Sequence, residues 1–196
     1  MRVGIFDKII EIPGSIVECG VFGGSGIFTW ANLGAIREPN NIMRRVTGFD
    51  TFEGFPSVAA EDLDGNRASG VGDLRSSFYD ELINLIGPYH DNRFPGHVPK
   101  IELVKGDANV TIPKYVEDNP HLVVSLLYLD FDLYEPTLAA LKTFLPRMPK
   151  GAVVAFDELN NSSWPGETTA AMHNDLLSSL KLERLDFDPY VAFAVL

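Results

Sequence analysis

The stretch that most constrains this chain is Leu122-Val123-Val124-Ser125-Leu126-Leu127-Tyr128-Leu129-Asp130-Phe131-Asp132-Leu133-Tyr134-Glu135-Pro136-Thr137. An almost continuous apolar run of this length predicts a strand buried on both faces, the kind found inside parallel sheets. Two aspartates close it, two residues apart. Strand alternation would point both side chains the same way. Pro136 stands where a helix can begin, because its missing N–H costs nothing in a first turn. A buried strand thus delivers two carboxylates to a sheet edge and hands over to a helix. Ligands bind outside the carboxyl ends of strands in open α/β sheets. A second segment repeats the pattern: Gly151-Ala152-Val153-Val154-Ala155-Phe156 ends in Asp157-Glu158. Two strands that each finish in an acid pair suit a divalent metal or a general base.

The rest of the chain supplies partners for these strands. Residues 1–14 form a short lead-in of one or two helical turns, closed by Pro13-Gly14. Ser15–Cys19 reads as the first strand, Gly20–Gly26 as a glycine-rich turn and Ile27–Arg37 as a helix. Glycines let backbone approach a ligand closely, and a helix N-terminus offers free N–H groups. Arg45–Asp50 is a second strand ending in an acid. From Thr51 to Asp73 the chain is irregular and rich in Gly, Ser, Asp and Pro; loops of this length are usually functional, and a lid is expected. A helix is predicted over Leu74–Ile86, stopped by Gly87-Pro88. Ile101–Lys105 is a third strand, followed by Gly106-Asp107. A short helix over Val110–Asp118 is interrupted by Pro113. After the organising strand come a helix over Glu135–Leu145, the strand Ala152–Phe156, and a helix from Trp164-Pro165-Gly166 to about Leu180. Lys181–Leu185 and Tyr190–Val195 are two last strands, too close together for anything but an antiparallel hairpin. Alternating strands and helices with a terminal antiparallel pair make an α/β sandwich around a mostly parallel sheet. Nothing resembling a linker divides the 196 residues, so one domain is expected.

Composition removes several partners. The formal net charge is -11, whereas nucleic acid and anionic membranes demand clustered Lys and Arg. A lone cysteine, Cys19, excludes an internal disulfide and suits the cytoplasm. No apolar run reaches the roughly 18 residues of a membrane span, and Met1–Asp7 lacks a signal-peptide core.

The acids carry the chemistry. Asp50, Asp107, Asp130, Asp132, Asp157 and Glu158 all follow predicted strands. Oxygen-only donors suit Mg²⁺ or a similar hard ion. The four histidines show no paired spacing, which argues against zinc. The glycine turn lacks the Gly-Lys-Ser/Thr of a phosphate loop and departs from the dinucleotide spacing. Glu18 beside it suits a ligand bearing positive charge or hydroxyls. Asp50 is placed like the acid that grips ribose hydroxyls. These residues leave open a metal-dependent hydrolase and a non-catalytic binding module on the same sheet. Cys19, with no histidine beside it, reads as a small buried residue and not a nucleophile.

Several blocks together resemble the macrocin O-methyltransferase family: Glu18-Cys19-Gly20-Val21 with Gly23-Gly24-Ser25, Phe49-Asp50-Thr51-Phe52-Glu53-Gly54-Phe55-Pro56, Gly106-Asp107, Leu129–Thr137, and Asp157-Glu158 with Trp164-Pro165-Gly166. The resemblance runs from about Ile16 to the last helix. It implies a Rossmann-like class I methyltransferase sandwich, with a seven-stranded, mostly parallel sheet and one antiparallel C-terminal strand. It implies an S-adenosylmethionine-dependent, Mg²⁺-assisted O-methyltransferase acting on a hydroxyl of a sugar or glycoside acceptor. By the same resemblance, Glu18, Gly20, Val21 and Ser25 lie at the methionine end of the cofactor. Asp50, with Thr51 and Phe52, lies at its ribose, Asp107 and Ala108 at its adenine, and Asp130 also beside it. Asp130, Asp157 and Glu158 are the implied Mg²⁺ ligands and Asp132 the general base; a homodimer is compatible. Two departures stand out. The family often has two aspartates after the fifth strand, where this chain has Glu158 second. Relatives also usually carry a longer helical region ahead of the first strand.

Overall fold

The computed structural model describes residues 1–63 and 69–196. Seven strands form one sheet in the order β3-β2-β1-β4-β5-β7-β6. They are β1 (Ser15–Cys19), β2 (Val46–Asp50), β3 (Ile101–Lys105), β4 (Val124–Leu129), β5 (Val153–Phe156), β6 (Leu182–Leu185) and β7 (Asp188–Val195). The first five run parallel, and β7 lies antiparallel between β5 and β6. The expected α/β architecture is therefore present. Helices α1 (Arg2–Ile9), α2 (Ser25–Arg37), α3 (Tyr79–Asp91), α4 (Ala108–Asp118), α5 (Tyr134–Phe144), α6 (Gly166–His173) and α7 (Leu176–Ser179) cover the two faces.

Burial follows from the apolar runs. Every residue of β1, β4 and β5 is buried. Alternate residues of these strands feed opposite faces. Ile16, Leu126, Tyr128, Val153 and Ala155 pack with Ile5, Phe6, Ile9, Ile27 and Trp30 on one side. Val17, Cys19, Leu127, Leu129, Val154 and Phe156 pack with Ile112, Leu141 and Phe144 on the other. Cys19 is a fully buried core residue. Among the described residues no helix is long and apolar enough to cross a membrane.

Four sequence expectations are corrected. Helix α3 starts at Tyr79 and runs through Gly87-Pro88 to Asp91. A mid-helix proline forfeits one hydrogen bond, and tertiary contacts beyond it hold the last turn. Tyr89 donates to the Ala31 carbonyl at 2.7 Å, and His90 Nε2 accepts from the N–H of Lys100 at 3.0 Å. Helix α4 likewise continues through Pro113, starting at Ala108 with Asp107 as its N-cap; the Asp107 carboxylate accepts from Asn109 N–H at 2.9 Å. The long final helix is divided, because Asp175 takes a left-handed conformation (φ 56°) between α6 and α7. Asn174 closes α6 by donating to the Ala170 carbonyl at 2.8 Å. Finally, β4 stops at Leu129, so Asp130 and Asp132 lie in the turn beyond it, where strand alternation does not apply. Asp132 adopts φ 64° there.

At the amino end of the sheet Arg44 ties the lead-in helix to the strands. Its side chain, 2 % exposed, pairs with Glu38 (2.7 Å) and donates to the carbonyls of Ile9 (2.9 Å), Ile12 (2.9 Å) and Gly14 (3.1 Å), and to Ser125 Oγ. Removing it takes away the guanidinium that neutralises the buried Glu38, which keeps only the neutral Asn41 amide as a donor. Breaking a buried pair costs about 3–5 kcal/mol. Arg44→Ala is expected to lower unfolding free energy by about 3 kcal/mol, read as a lower urea midpoint at unchanged slope.

Candidate functional site

Strand order reverses between β1 and β4, and the chain splays apart beyond their carboxyl ends. Gly20 follows β1 with φ 97°, and a Cβ there would overlap the Asp130 carbonyl oxygen. Only glycine lets the first turn cross the end of β4 this closely. The Asp50 carboxylate, at the end of β2, then organises the turn. It accepts from the N–H groups of Val21 (2.8 Å), Phe22 (2.8 Å) and Phe52 (2.6 Å).

A cleft of about 410 Å³ opens over this edge. That volume lies in the range of small-molecule sites. Of the sequence-predicted site residues, Gly20, Asp50, Thr51, Asp107, Ala108, Asp130, Asp132 and Glu158 line it. Five others do not line it. Val21 and Phe52 are core residues, Phe52 packing on Tyr79 at 5.0 Å between ring centres. Ser25 opens α2 and points to solvent. Glu18 is buried against the first turn of α2, where Gly26 leaves room for its carboxylate. Asp157 stands behind Glu158, its carboxylate accepting from Tyr128 Oη.

The apolar part of the wall comes from Phe22, Phe55, Leu74, Phe131, Leu133, Pro136 and Trp164. Phe55 meets Trp164 edge to face at 5.7 Å, with Leu133 in the same cluster. The irregular stretch after β2 thus contributes directly to the wall through Gly54, Phe55 and Pro56. Residues 64–68 of it lie outside the described residues. Asp62 anchors the near half, accepting from Tyr134 N–H at 2.7 Å and Ala59 N–H at 2.9 Å.

The electrostatics are those of carboxylates packed without counter-charge. Burial pushes the Asp130 carboxyl up to about 10, and Asp157, Glu167, Asp132 and Glu18 add to the shift. Asp157 and Glu158 are also raised, in both cases first by burial. Glu167, fully buried in α6, is pushed well above the carboxylate range, by burial and then by Asp132. One of its oxygens accepts from Glu158 N–H at 3.1 Å; the other, Oε1, is buried and unpaired. Glu18 rises to about 8 through burial, offset in part by Arg2. Arg2 lies over the Tyr128 ring at 5.4 Å and also eases Asp157. Among the described residues, none that lines the cleft is Lys, Arg or His. Such a wall favours ligands that are cationic or rich in hydroxyls, and it repels a pyrophosphate.

These oxygen donors fit a hard divalent cation chemically, and Glu167 Oε1 is a buried oxygen that the protein leaves without a donor. Among the described residues, no three such side chains yet converge at metal-binding separations. Tyr128 donates its hydroxyl to Asp157, and Tyr190 donates to Glu158.

Sequence reading missed Glu167, Tyr128, Tyr190 and Asn161. Glu167 directly follows Trp164-Pro165-Gly166, so its position was available from the motif. Tyr190 needed the hairpin register, which no local pattern reports.

The macrocin O-methyltransferase (TylF) family model matches residues 6–174. The chain is 38 % identical to CalS11, described as a calicheamicin methyltransferase. That alignment covers 98 % of this chain and 76 % of the other, with a TM-score of 0.93. A second structure, of CalS11 as an apo TDP-rhamnose 3'-O-methyltransferase, aligns at 35 % identity with a TM-score of 0.84, over the same shares. A tetracenomycin-C rhamnosyl 4'-O-methyltransferase from Streptomyces olivaceus is 30 % identical over 148 residues, which are 75 % of this chain. The chain spans about half that relative's length, 53 %.

The raised Asp130 carboxyl has a measurable consequence in metal-free protein. It takes its proton more tightly folded than unfolded, so its contribution is full at low pH and is lost as pH rises from about 4 towards 10. Metal-free stability is expected to fall across that window. Asp130→Asn, which cannot ionise, flattens the slope and raises the urea midpoint at pH 8.

Proposed function

Because the chain belongs to the macrocin O-methyltransferase family, we propose that it transfers a methyl group from S-adenosylmethionine to a sugar hydroxyl, with Mg²⁺ in support. The observation that carries this reading is the cleft wall: among the described residues it has five carboxylates, no cationic side chain, and an aromatic side at Phe55 and Trp164. The cofactor carries a sulfonium and hydroxyls, which such a wall accepts. A dinucleotide carries a pyrophosphate, which it opposes. The relatives named for rhamnose methylation make a deoxysugar the favoured acceptor class.

The glycine turn after β1 and the caps after β2 and β3 form the cofactor half. Asp50 keeps about one acceptor site after accepting from three N–H groups, enough to receive one ribose hydroxyl. Asp107 and Ala108 border the opposite end. Asp130, Asp157 and Glu158 would hold the metal, which supplies Lewis acidity that lowers the proton affinity of a hydroxyl beside it. Asp132, 8 % exposed and on the cleft wall, takes the acceptor's proton as the new bond forms. The sugar's apolar face lies against Trp164 and Phe55, and the loop after β2 covers it and excludes water.

Two experiments test this. Calorimetric titration of S-adenosylmethionine and S-adenosylhomocysteine, with and without Mg²⁺, is expected to show binding in the micromolar range; no heat in either condition would remove the methyltransferase reading. Asp132→Asn is expected to keep S-adenosylhomocysteine affinity and lose about 10²–10⁴-fold in methyl transfer to a rhamnosyl acceptor. Unchanged turnover would remove Asp132 as the base.

A further inference from the structure

The acid pair after β5 is not left to itself. Tyr128, fully buried in β4, donates its hydroxyl to Asp157. Tyr190, in β7, places its hydroxyl 3.0 Å from both carboxylate oxygens of Glu158. Asn161 completes the arrangement: its amide donates to Glu158 and also, at 2.9 Å, to Tyr190 Oη. The roles are consistent only one way. The phenol accepts from the amide and donates to the carboxylate, which keeps about half of its lone pairs free after both donors are counted.

The sheet register explains the pairing. Strand β7 runs antiparallel to β5, with Phe156 opposite Ala192. Glu158 lies two residues past Phe156 and Tyr190 two residues before Ala192, so both stand at the same end of that ladder. Tyr190 lies beyond residue 174, where the family match ends, and Glu158 stands where the resemblance often has an aspartate. The longer side chain reaches one methylene further across the edge, and Tyr190 meets it there.

We infer that Tyr190, with Asn161, is a positioning residue that fixes the Glu158 carboxylate for the metal. The terminal hairpin is therefore part of the metal site as well as the sheet. Tyr190 touches neither cofactor nor acceptor in this assignment; it acts through Glu158. The inference rests on the proposed metal role of Glu158.

The test is calorimetric titration of Mg²⁺ into wild type, Tyr190→Phe, Glu158→Gln and the double variant. Loss of a partner that orients a metal ligand typically weakens metal affinity 10–100-fold. Tyr190→Phe is expected to weaken Mg²⁺ binding about tenfold, while metal-free S-adenosylhomocysteine affinity and the urea midpoint stay near wild type. The double variant is expected to bind Mg²⁺ no more weakly than Glu158→Gln alone. Asn161→Ala provides a second reading of the same contact and is expected to weaken Mg²⁺ as well. Wild-type Mg²⁺ affinity in Tyr190→Phe, tighter binding, or losses that simply add in the double variant would overturn the inference while leaving the metal site standing. Absence of Mg²⁺ binding in wild type, or an unaffected Glu158→Gln, would instead remove the metal role of Glu158 and the inference with it.

Discussion

The contact on which this site depends is the passage of Gly20 over the backbone of Asp130. Strands β1 and β4 are hydrogen-bonded neighbours to their ends, Cys19 opposite Leu129. The next residues must part in opposite directions, one chain towards α2 and the other towards α5. A side chain at residue 20 would occupy the space of the Asp130 carbonyl. Glycine lets both turns begin at once. The cleft is the gap their divergence leaves, and its depth is set by how closely the two turns start.

Into that gap the fold places more negative charge than it neutralises. Asp130, Asp157, Glu158 and Glu167 each raise, or are raised by, another member of the set. Burying like charges together costs stability unless protons or a cation enter. The apolar strands beneath, buried along their whole length, offset that cost. This is the usual relation between scaffold and site: a centre that conflicts with its own burial persists because the surrounding core is consistent.

Much of the frame was legible because it rests on local patterns. Continuous apolar runs gave the buried strands, and the short link between the last two gave their antiparallel pairing. The acids at Asp50, Asp107, Asp130 and Asp132 could be placed on the rim by their position after strands alone. What escaped reading was set by contacts distant in sequence. Pro88 does not stop α3, because Tyr89 and His90 find partners on α2 and β3. Asp175 divides the last helix through a backbone conformation that its neighbours' helical propensity does not announce. Glu18 looks like a ligand of the glycine turn but turns inward behind α2. Tyr190 is one tyrosine among several until the register of β7 brings it to the end of the ladder where Glu158 stands.

Gly166 shows how such distant contacts join the parts of the site. It opens α6, and a Cβ there would collide with the Asp62 carboxylate and Tyr134 N–H, and would stand 2.7 Å from the Asp132 carbonyl. Asp62 belongs to the loop after β2, Tyr134 and Asp132 to the turn after β4, and Glu167 follows Gly166 itself. Asp62 accepts from Tyr134 N–H because α6 leaves the space for it. The same turn of α6 places Glu167 under Glu158 N–H. Segments that supply part of the wall, the proposed base Asp132 and the buried Glu167 therefore meet at one point that a side chain would fill. A side chain at residue 166 would therefore press on the loop after β2 and on the turn after β4 at once.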